Sequence, residues 1–413
     1  MVTSRHSHWI FLLILLAILL PACGSDEGAA AAPDAEIPTT ESVAAAATDM
    51  PSTLAPTSTT EARLPPPVLE VDAEPTATNT AVPTPTVTPL PVEINTLADF
   101  GTDRNPLTGE LVDDPAVLQR RPIAIKISNN PPSYTRPQHG IGQADIVFEH
   151  ITETNITRFT AIFYSQTPPD IGPVRSARLI DLEIPAMYDT ALVMSGSHPL
   201  VSRALYNSDI GDSILREVAT GFYRTDDTSK PSEHTLHADP VGLWEWLDNY
   251  ETNHAPIFSN AMAFNSTPPA GGAPAMHITL DYSTWSHVEW DFDVENGRYY
   301  RTVDGETFVD GNNDEQVSAA NVIIIYAPHT FDKEICVYHD GETCTLYTTE
   351  IQIWGQGFGQ IMRDGRKYDV TWVRNNRHDM LTFLDADGNV VPLQVGNTWF
   401  QVFPFYLDDP VIE

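Results

Sequence analysis

From about residue 100 onward the chain alternates short apolar runs with Gly, Pro, Asn and Asp punctuation, and the period of each run distinguishes strand from helix. Ile123–Ile127 (IAIKI), Asp145–His150 (DIVFEH), Arg158–Ser165 (RFTAIFYS) and Ala191–Gly196 (ALVMSG) read as strands. Ser176–Tyr188 has helical spacing, with Pro185 placed to kink or end it. Asp239–Tyr250 predicts a helix with an Asp cap and Pro in its first turn. Strands mixed with helices over residues 99–265 imply an α/β domain. From Met276 the pattern changes to NVIIIYAP, TLYTTEIQIW, KYDVTWV, MLTFLD, VVPLQV and TWFQVFP, separated by turn residues. That pattern predicts a mainly antiparallel β domain over residues 276–410, joined to the first by the Pro/Gly-rich stretch Ser266–Ala275.

The first hundred residues look different. Arg5, His6 and His8 precede an unbroken apolar run from Trp9 to Leu20, the layout of a signal peptide over residues 1–22. A spanning helix needs roughly 20 apolar residues, so the run is too short to be read first as a transmembrane anchor. Leu20-Pro21-Ala22-Cys23 has the pattern of a bacterial lipobox, which would place a lipid on Cys23 and tie the mature chain to the outer side of the cell membrane. The competing reading is an ordinary secretory signal with an incidental cysteine. Residues 23–98 are rich in Ala, Pro and Thr, with too little apolar surface to offset the entropy of ordering. They predict a disordered linker reaching roughly 50 Å.

The formal net charge of −34 argues against nucleic acid as a partner, since no Lys/Arg run forms a local basic patch. Besides Cys23 the chain has Cys336 and Cys344, flanking VYHDGET. A three-residue loop His339-Asp340-Gly341 would set the two cysteines opposite each other, within disulfide range, and an oxidising compartment favours the bond. With only His339 nearby, a metal set there lacks a fourth ligand.

Polar chemistry is densest in the first domain. Glu149, Glu153 and Arg158 lie around strand ends, and Arg175, Ser176 and Arg178 lie where a Gly-Pro turn is expected to enter a helix. Guanidinium forks and helix N–H groups suit carboxylate or phosphate, which points to an anion-recognising cleft. The structural alternative is that Glu149 or Glu153 pairs with these arginines to hold strands and helix together. Ser195 and His198 follow an apolar strand, yet the Gly-x-Ser-x-Gly elbow is absent and a turn is the simpler account. Glu149 and Glu153 on one extended strand would stand about 13 Å apart, too far for a glycosidase pair. GQGFGQ (Gly355–Gln360) lies between β runs rather than opening a helix, so no nucleotide site is read there and a glycine-rich hairpin or bulge is expected. Asp385–Asn389 (DADGN) reads as a hairpin turn rather than a calcium loop. Trp354, Trp372 and Trp399 sit in strand patterns and are expected in the core. No cofactor and no metal site follows from these motifs.

PLTGE at Pro106, RRPIAIKISN at Arg120, RPQHGIGQADIVFEH at Arg136, TRFTAIFYSQ at Thr157 and GPVRSAR at Gly172 occur in order. Together with GQGFGQIMRDGRKYDVTWVR and VPLQVGNTWFQVFP further on, they resemble the YerB-like bacterial lipoproteins. The resemblance covers roughly Asn105 to Pro404 and implies an envelope lipoprotein built of two associated domains of unknown function, with no established activity. Three roles follow as expectations. The first is a non-catalytic binding or assembly module that recognises an anionic cell-wall polymer or an envelope protein. The second is an envelope hydrolase or transferase built from Glu153, Arg175, Ser195 and His198, and the third is a structural scaffold.

Overall fold

Strands that lack polar alternation are buried on both faces, and IAIKI and NVIIIY behave this way: every residue of Ile123–Ser128 and Asn321–Ala327 is buried. The computed structural model describes residues 91–413, apart from Trp285 and the side chain of Asn155. The expected signal peptide, Cys23 and the linker up to residue 90 lie outside the described residues.

Among the described residues eleven strands form the largest sheet. In chain order they are β1 (Ile123–Ser128), β2 (Ile146–Ile151), β3 (Thr157–Phe163), β4 (Ala191–Val193), β5 (Ile214–Leu215), β6 (Ala273–Pro274), β7 (Asn321–Ala327), β8 (Gly355–Arg363), β9 (Arg366–Arg374), β10 (Thr382–Leu384) and β11 (Thr398–Pro404). Their spatial order is β6-β9-β8-β7-β11-β2-β3-β1-β4-β5, with β10 also paired to β9. A second sheet of six strands includes His277–Ser283, Ser286–Asp293 and Arg298–Val303, whose burial alternates along each strand. One face of the large sheet (Ile125, Val147, Phe159, Ile324, Trp399) packs on the buried face of this second sheet (Leu280, Val288, Trp290, Tyr299). The opposite face (Phe148, Ile323, Phe400, Val402) is covered by Phe100, Leu118, Ile180, Ile184, Met187 and Leu381.

The expected α/β region and β-rich region are both present, but they do not stand as separate bodies. The last long strand, β11, lies between β7 and β2 and runs parallel to both, with Phe400 opposite Ile323 on one side and Phe148 on the other. The Phe148 and Phe400 rings stack at 4.4 Å between centroids. The C-terminal region is therefore not wholly antiparallel, and β2 to β5 continue its sheet. Strand patterning reports which faces are apolar and carries no record of which strand pairs with which.

Other boundaries shift for local reasons. The folded chain starts before residue 99, because Glu93–Ile94 pairs with Phe264–Asn265 and Ile94 is buried there. The expected helix at Ser176–Tyr188 is two short pieces, a 3-10 turn Leu179–Leu182 and a helix Ile184–Met187, with Pro185 in the first turn of the second. Val390–Val395 forms no strand of its own. The Asp239-capped helix is as expected, with the Asp239 carboxylate accepting from Val241 N at 2.9 Å. Gly355–Gln360 is the first half of β8, which forms a hairpin with β9 as expected; Gly359 and Gln360 pair with β7 as well. Its glycines admit Trp372: a Cβ at Gly357 would lie 2.6 Å from the indole. Trp372 and Trp399 are core residues, whereas Trp354 is exposed.

The disulfide Cys336–Cys344 is formed, with a Cα–Cα distance of 5.8 Å. It staples the hairpin of His329–Asp340 and Thr343–Ile351, but not in the expected register. The turn residues are Gly341 and Glu342, with Asp340 opposite Thr343 and His339 opposite Cys344. Irregular pairing between Asp332 and His339 then brings Cys336 within reach. Closing so short a loop is worth about 2–3 kcal/mol in the chain-entropy account. Reduction is therefore expected to leave both sheets folded and to make the Asp340–Thr343 turn the first site of proteolysis. Equal cleavage rates with and without reductant would refute this.

Candidate functional site

Parallel strands of an α/β sheet present their carboxyl ends on one side, and ligand crevices form where neighbouring strands part. β1 and β4 pair through Ile125 and Val193, and then they separate. The segment from Val174 to Ala177 fills the gap. Arg175 N donates to Lys126 O at 2.8 Å, Ser195 N to Arg175 O at 3.1 Å, and Ala177 N to Gly196 O at 2.8 Å. GPVRSAR thus lies extended between two strand ends rather than opening a long helix, which corrects the expected helix entry. Arg178 caps the short turn that follows, and its N–H donates to Asp181 Oδ2 at 2.7 Å. The donors that gather beside this turn are guanidinium groups.

Three guanidinium groups gather at this point. Arg158, at the start of β3, donates to the Ser176 carbonyl at 2.8 Å, and Arg178 reaches the same oxygen at 3.4 Å. Arg178 Nε also pairs with Glu153 Oε2 at 2.7 Å, and Glu153 accepts from Thr348 Oγ1 of the disulfide hairpin at 3.1 Å. Burial pushes Glu153 up, but Arg178, together with a backbone N–H and the Arg158 charge, holds its carboxyl below the usual range. Arg175 donates to the Glu233 carbonyl at 3.1 Å, while its buried Nε meets no acceptor. Among the described residues neither Arg158 nor Arg175 makes a salt bridge. Burial, with repulsion from Arg178 and Arg175 added, brings the Arg158 guanidinium down to about 9. His234 is buried nearby, and its Nδ1 also lacks a partner.

Behind the arginines is a buried polar group that sequence reading missed. Lys126 Nζ lies 2.9 Å from Asp181 Oδ1, 2.6 Å from Thr160 Oγ1 and 2.8 Å from His150 Nε2. Burial, reinforced by the Lys126 charge, keeps His150 well below its ordinary pKa and hence neutral. Its Nδ1–H donates to Ile151 O at 3.1 Å, which leaves the Nε2 lone pair for Lys126. The signal available in the sequence was Lys126 within IAIKI, the one charge in a run buried on both faces.

The remaining expected site residues divide. Glu153, Arg158, Arg175, Ser176 and Arg178 come together. Glu149 does not: it points to the other face of the sheet, fully buried, where Arg301 binds it at 2.8 Å. One residue along a strand reverses the face, and Glu149 and His150 show that directly. Ser195 joins the site only through its backbone. The His198 ring accepts from Leu200 N at 3.3 Å as a helix cap, and no hydrogen bond links it to Ser195. A nucleophile with an adjacent base is not assembled here.

Family models match two stretches of the chain: the N-terminal domain of DUF3048, described as a protein of unknown function, over residues 107–253, and the DUF3048 C-terminal domain over residues 278–400. The Bacillus subtilis (strain 168) protein named "Putative lipoprotein YerB" is 28% identical over 304 residues, covering 72% of this chain and 86% of that protein. The crystal structure of YerB from Bacillus subtilis matches with a TM-score of 0.63 at 26% identity, covering 75% of this chain and 99% of that one. Two family domains in order, a relative aligned along most of its length and a shared fold agree, and the chain belongs to the YerB-like family of DUF3048 proteins.

Proposed function

We propose that the protein is an exported lipoprotein, acylated at Cys23, whose folded part binds carboxylate or phosphate groups of a cell-envelope polymer or partner protein through Arg158 and Arg175. The lipobox at Leu20–Cys23 and the name of the Bacillus relative support the anchoring. Among the described residues no helix is long and apolar enough to cross a membrane. The binding reading rests on one observation: two guanidiniums share the Ser176 carbonyl with a third beside them, and only Arg178 has a carboxylate partner. Like charges held together in a protein of net charge −34 favour an anion that would neutralise them. Glu153–Arg178 is the structural pair of this site; Arg158 and Arg175 are the groups left for a ligand.

The test is equilibrium binding of inorganic phosphate and of anionic wall-polymer fragments to the purified chain. A hydrogen bond to a charged group contributes about 1.5–3 kcal/mol, so Arg175→Ala is expected to weaken binding at least tenfold with the thermal midpoint nearly unchanged. Arg175→Lys should retain part of the affinity. If Arg175→Ala unfolds the protein while the parent chain binds neither probe, the arginines serve only the fold.

A further inference from the structure

A second group of chemistry-bearing side chains lies at the other end of the extended segment that carries Arg175. His139 Nδ1 is 2.9 Å from Asp170 Oδ2, and His237 Nδ1 is 2.8 Å from the same oxygen. One ligand atom from each of the three residues falls within 4.8 Å of the others. In a tetrahedral zinc site with bonds of about 2.0–2.1 Å, neighbouring ligand atoms stand roughly 3.3 Å apart. Opening the present spacing by about half an ångström would reach that geometry.

The backbone holds the three residues in place. His139 N donates to Gly172 O at 2.9 Å and Gly172 N to His139 O at 3.2 Å, while Ile171 and Ala238 exchange two bonds of 2.9 Å. Both rings rest on glycines that admit no side chain: a Cβ would lie 2.6 Å from the His139 ring at Gly311 and 2.7 Å from the His237 ring at Gly172. Asp310 fixes the loop below His139 by accepting from Gly140 N at 2.9 Å and Gly142 N at 2.7 Å. Tyr223 donates to Asp170 Oδ1 at 2.6 Å, the kind of outer hydrogen bond that orients a ligating carboxylate. Asn312 Oδ1 stands 3.2 Å from His139 Nδ1, close enough to serve as a fourth ligand. The His139 side chain is 32% exposed, which leaves an entry path from solvent.

We propose that His139, Asp170 and His237 bind a divalent transition-metal ion, with zinc as the reference ion and Asn312 or water in the fourth position. Two imidazoles and a carboxylate match the ligand preference of zinc, and three protein ligands leave one coordination position for an exogenous group. The cysteines do not compete, because both described thiols are spent in the disulfide.

The experiment is calorimetric titration of zinc chloride into the purified, chelator-stripped full chain. One ion per chain is expected, with a rise in thermal midpoint. His139→Ala and Asp170→Asn should each weaken binding at least a hundredfold, with circular dichroism confirming the fold. Should Asp170→Asn fail to fold, the part-exposed His139 carries the test alone. His277 and His287 lie elsewhere, on an exposed sheet face beside Glu289, so His277→Ala/His287→Ala should bind zinc like the parent. Absence of saturable one-to-one binding, undiminished binding in folded His139→Ala, or loss only in the His277/His287 variant would each overturn the proposal.

Discussion

Glu149→Ala is expected to destabilise the protein by about 3–5 kcal/mol, enough to bring a domain of ordinary stability close to unfolding. Glu149 and Arg301 are both fully buried between the two sheets, 2.8 Å apart. Glu149 also accepts from Thr157 Oγ1 at 2.8 Å, and the Arg301 guanidinium is ringed by Phe159, Trp290, Phe308 and Trp399 at 4.7–5.8 Å from their centroids. Removing the carboxylate leaves that guanidinium buried among aromatic rings with no counter-charge. Arg158 and Arg175, the proposed anion-binding pair, are on the opposite face, so on that proposal phosphate binding should be unaffected in whatever fraction remains folded. Urea denaturation measures the effect: the midpoint should fall with the slope unchanged. The double variant Glu149→Leu/Arg301→Met should recover much of the loss, because a buried pair replaced by apolar groups of similar volume is often neutral. A loss below 1 kcal/mol for Glu149→Ala would show that the pair does not hold the sheets together.

Glu149 also marks where the sequence stops being legible. The local elements could be read: IAIKI, DIVFEH, NVIIIY and TWFQVFP are strands because their residues are apolar and β-branched or aromatic, and the Asp239-Pro240 start fixes its helix. The gathering of Glu153, Arg158, Arg175 and Arg178 was legible as well, since strand ends and a Gly-Pro turn bring charges to one rim. Face and partner were not. Glu149 and His150 are adjacent in sequence and serve different layers, and Arg301 comes from 152 residues further along. The position of β11 between β7 and β2 follows from pairing over long separations, which no run of residues encodes locally. His139, Asp170 and His237 escaped for the same reason. Each is a single polar residue in an ordinary turn or strand, and only the backbone ladder through Gly172 and Ala238 makes them neighbours. The cysteine hairpin differs in another way: the disulfide formed, but the turn lies at Gly341-Glu342 rather than His339-Asp340-Gly341, and irregular pairing moved the register.

Stability should rise with pH above 8 by a contribution from Lys126 that vanishes in Lys126→Met. The side chain is wholly buried, and burial outweighs the attraction of Asp181, bringing its pKa from 10.5 down to about 8. Below pH 8 the lysine is protonated in both states, and keeping that charge inside the fold costs about 3 kcal/mol at 1.36 kcal/mol per pH unit of difference. Between pH 8 and 10.5 the unfolded chain still holds the proton that the folded chain has released. The unfolded state then binds more protons, so the sign is a gain in stability as pH increases. Buried tyrosines act in the opposite sense near and above pH 10, because Tyr164, Tyr188 and Tyr282 all have raised values in the fold. The comparison with Lys126→Met removes their contribution, since both proteins carry the same tyrosines. Asp181 keeps two donors in that variant, Arg178 N at 2.7 Å and Thr160 Oγ1 at 3.0 Å, so the methionine leaves no carboxylate stranded. Urea titrations at pH 7.5 and 9.5, at one ionic strength, should show the parent protein gaining roughly 2 kcal/mol relative to the variant. Parallel pH profiles for the two proteins would mean that Lys126 keeps its proton throughout, held by Asp181 more strongly than burial opposes it.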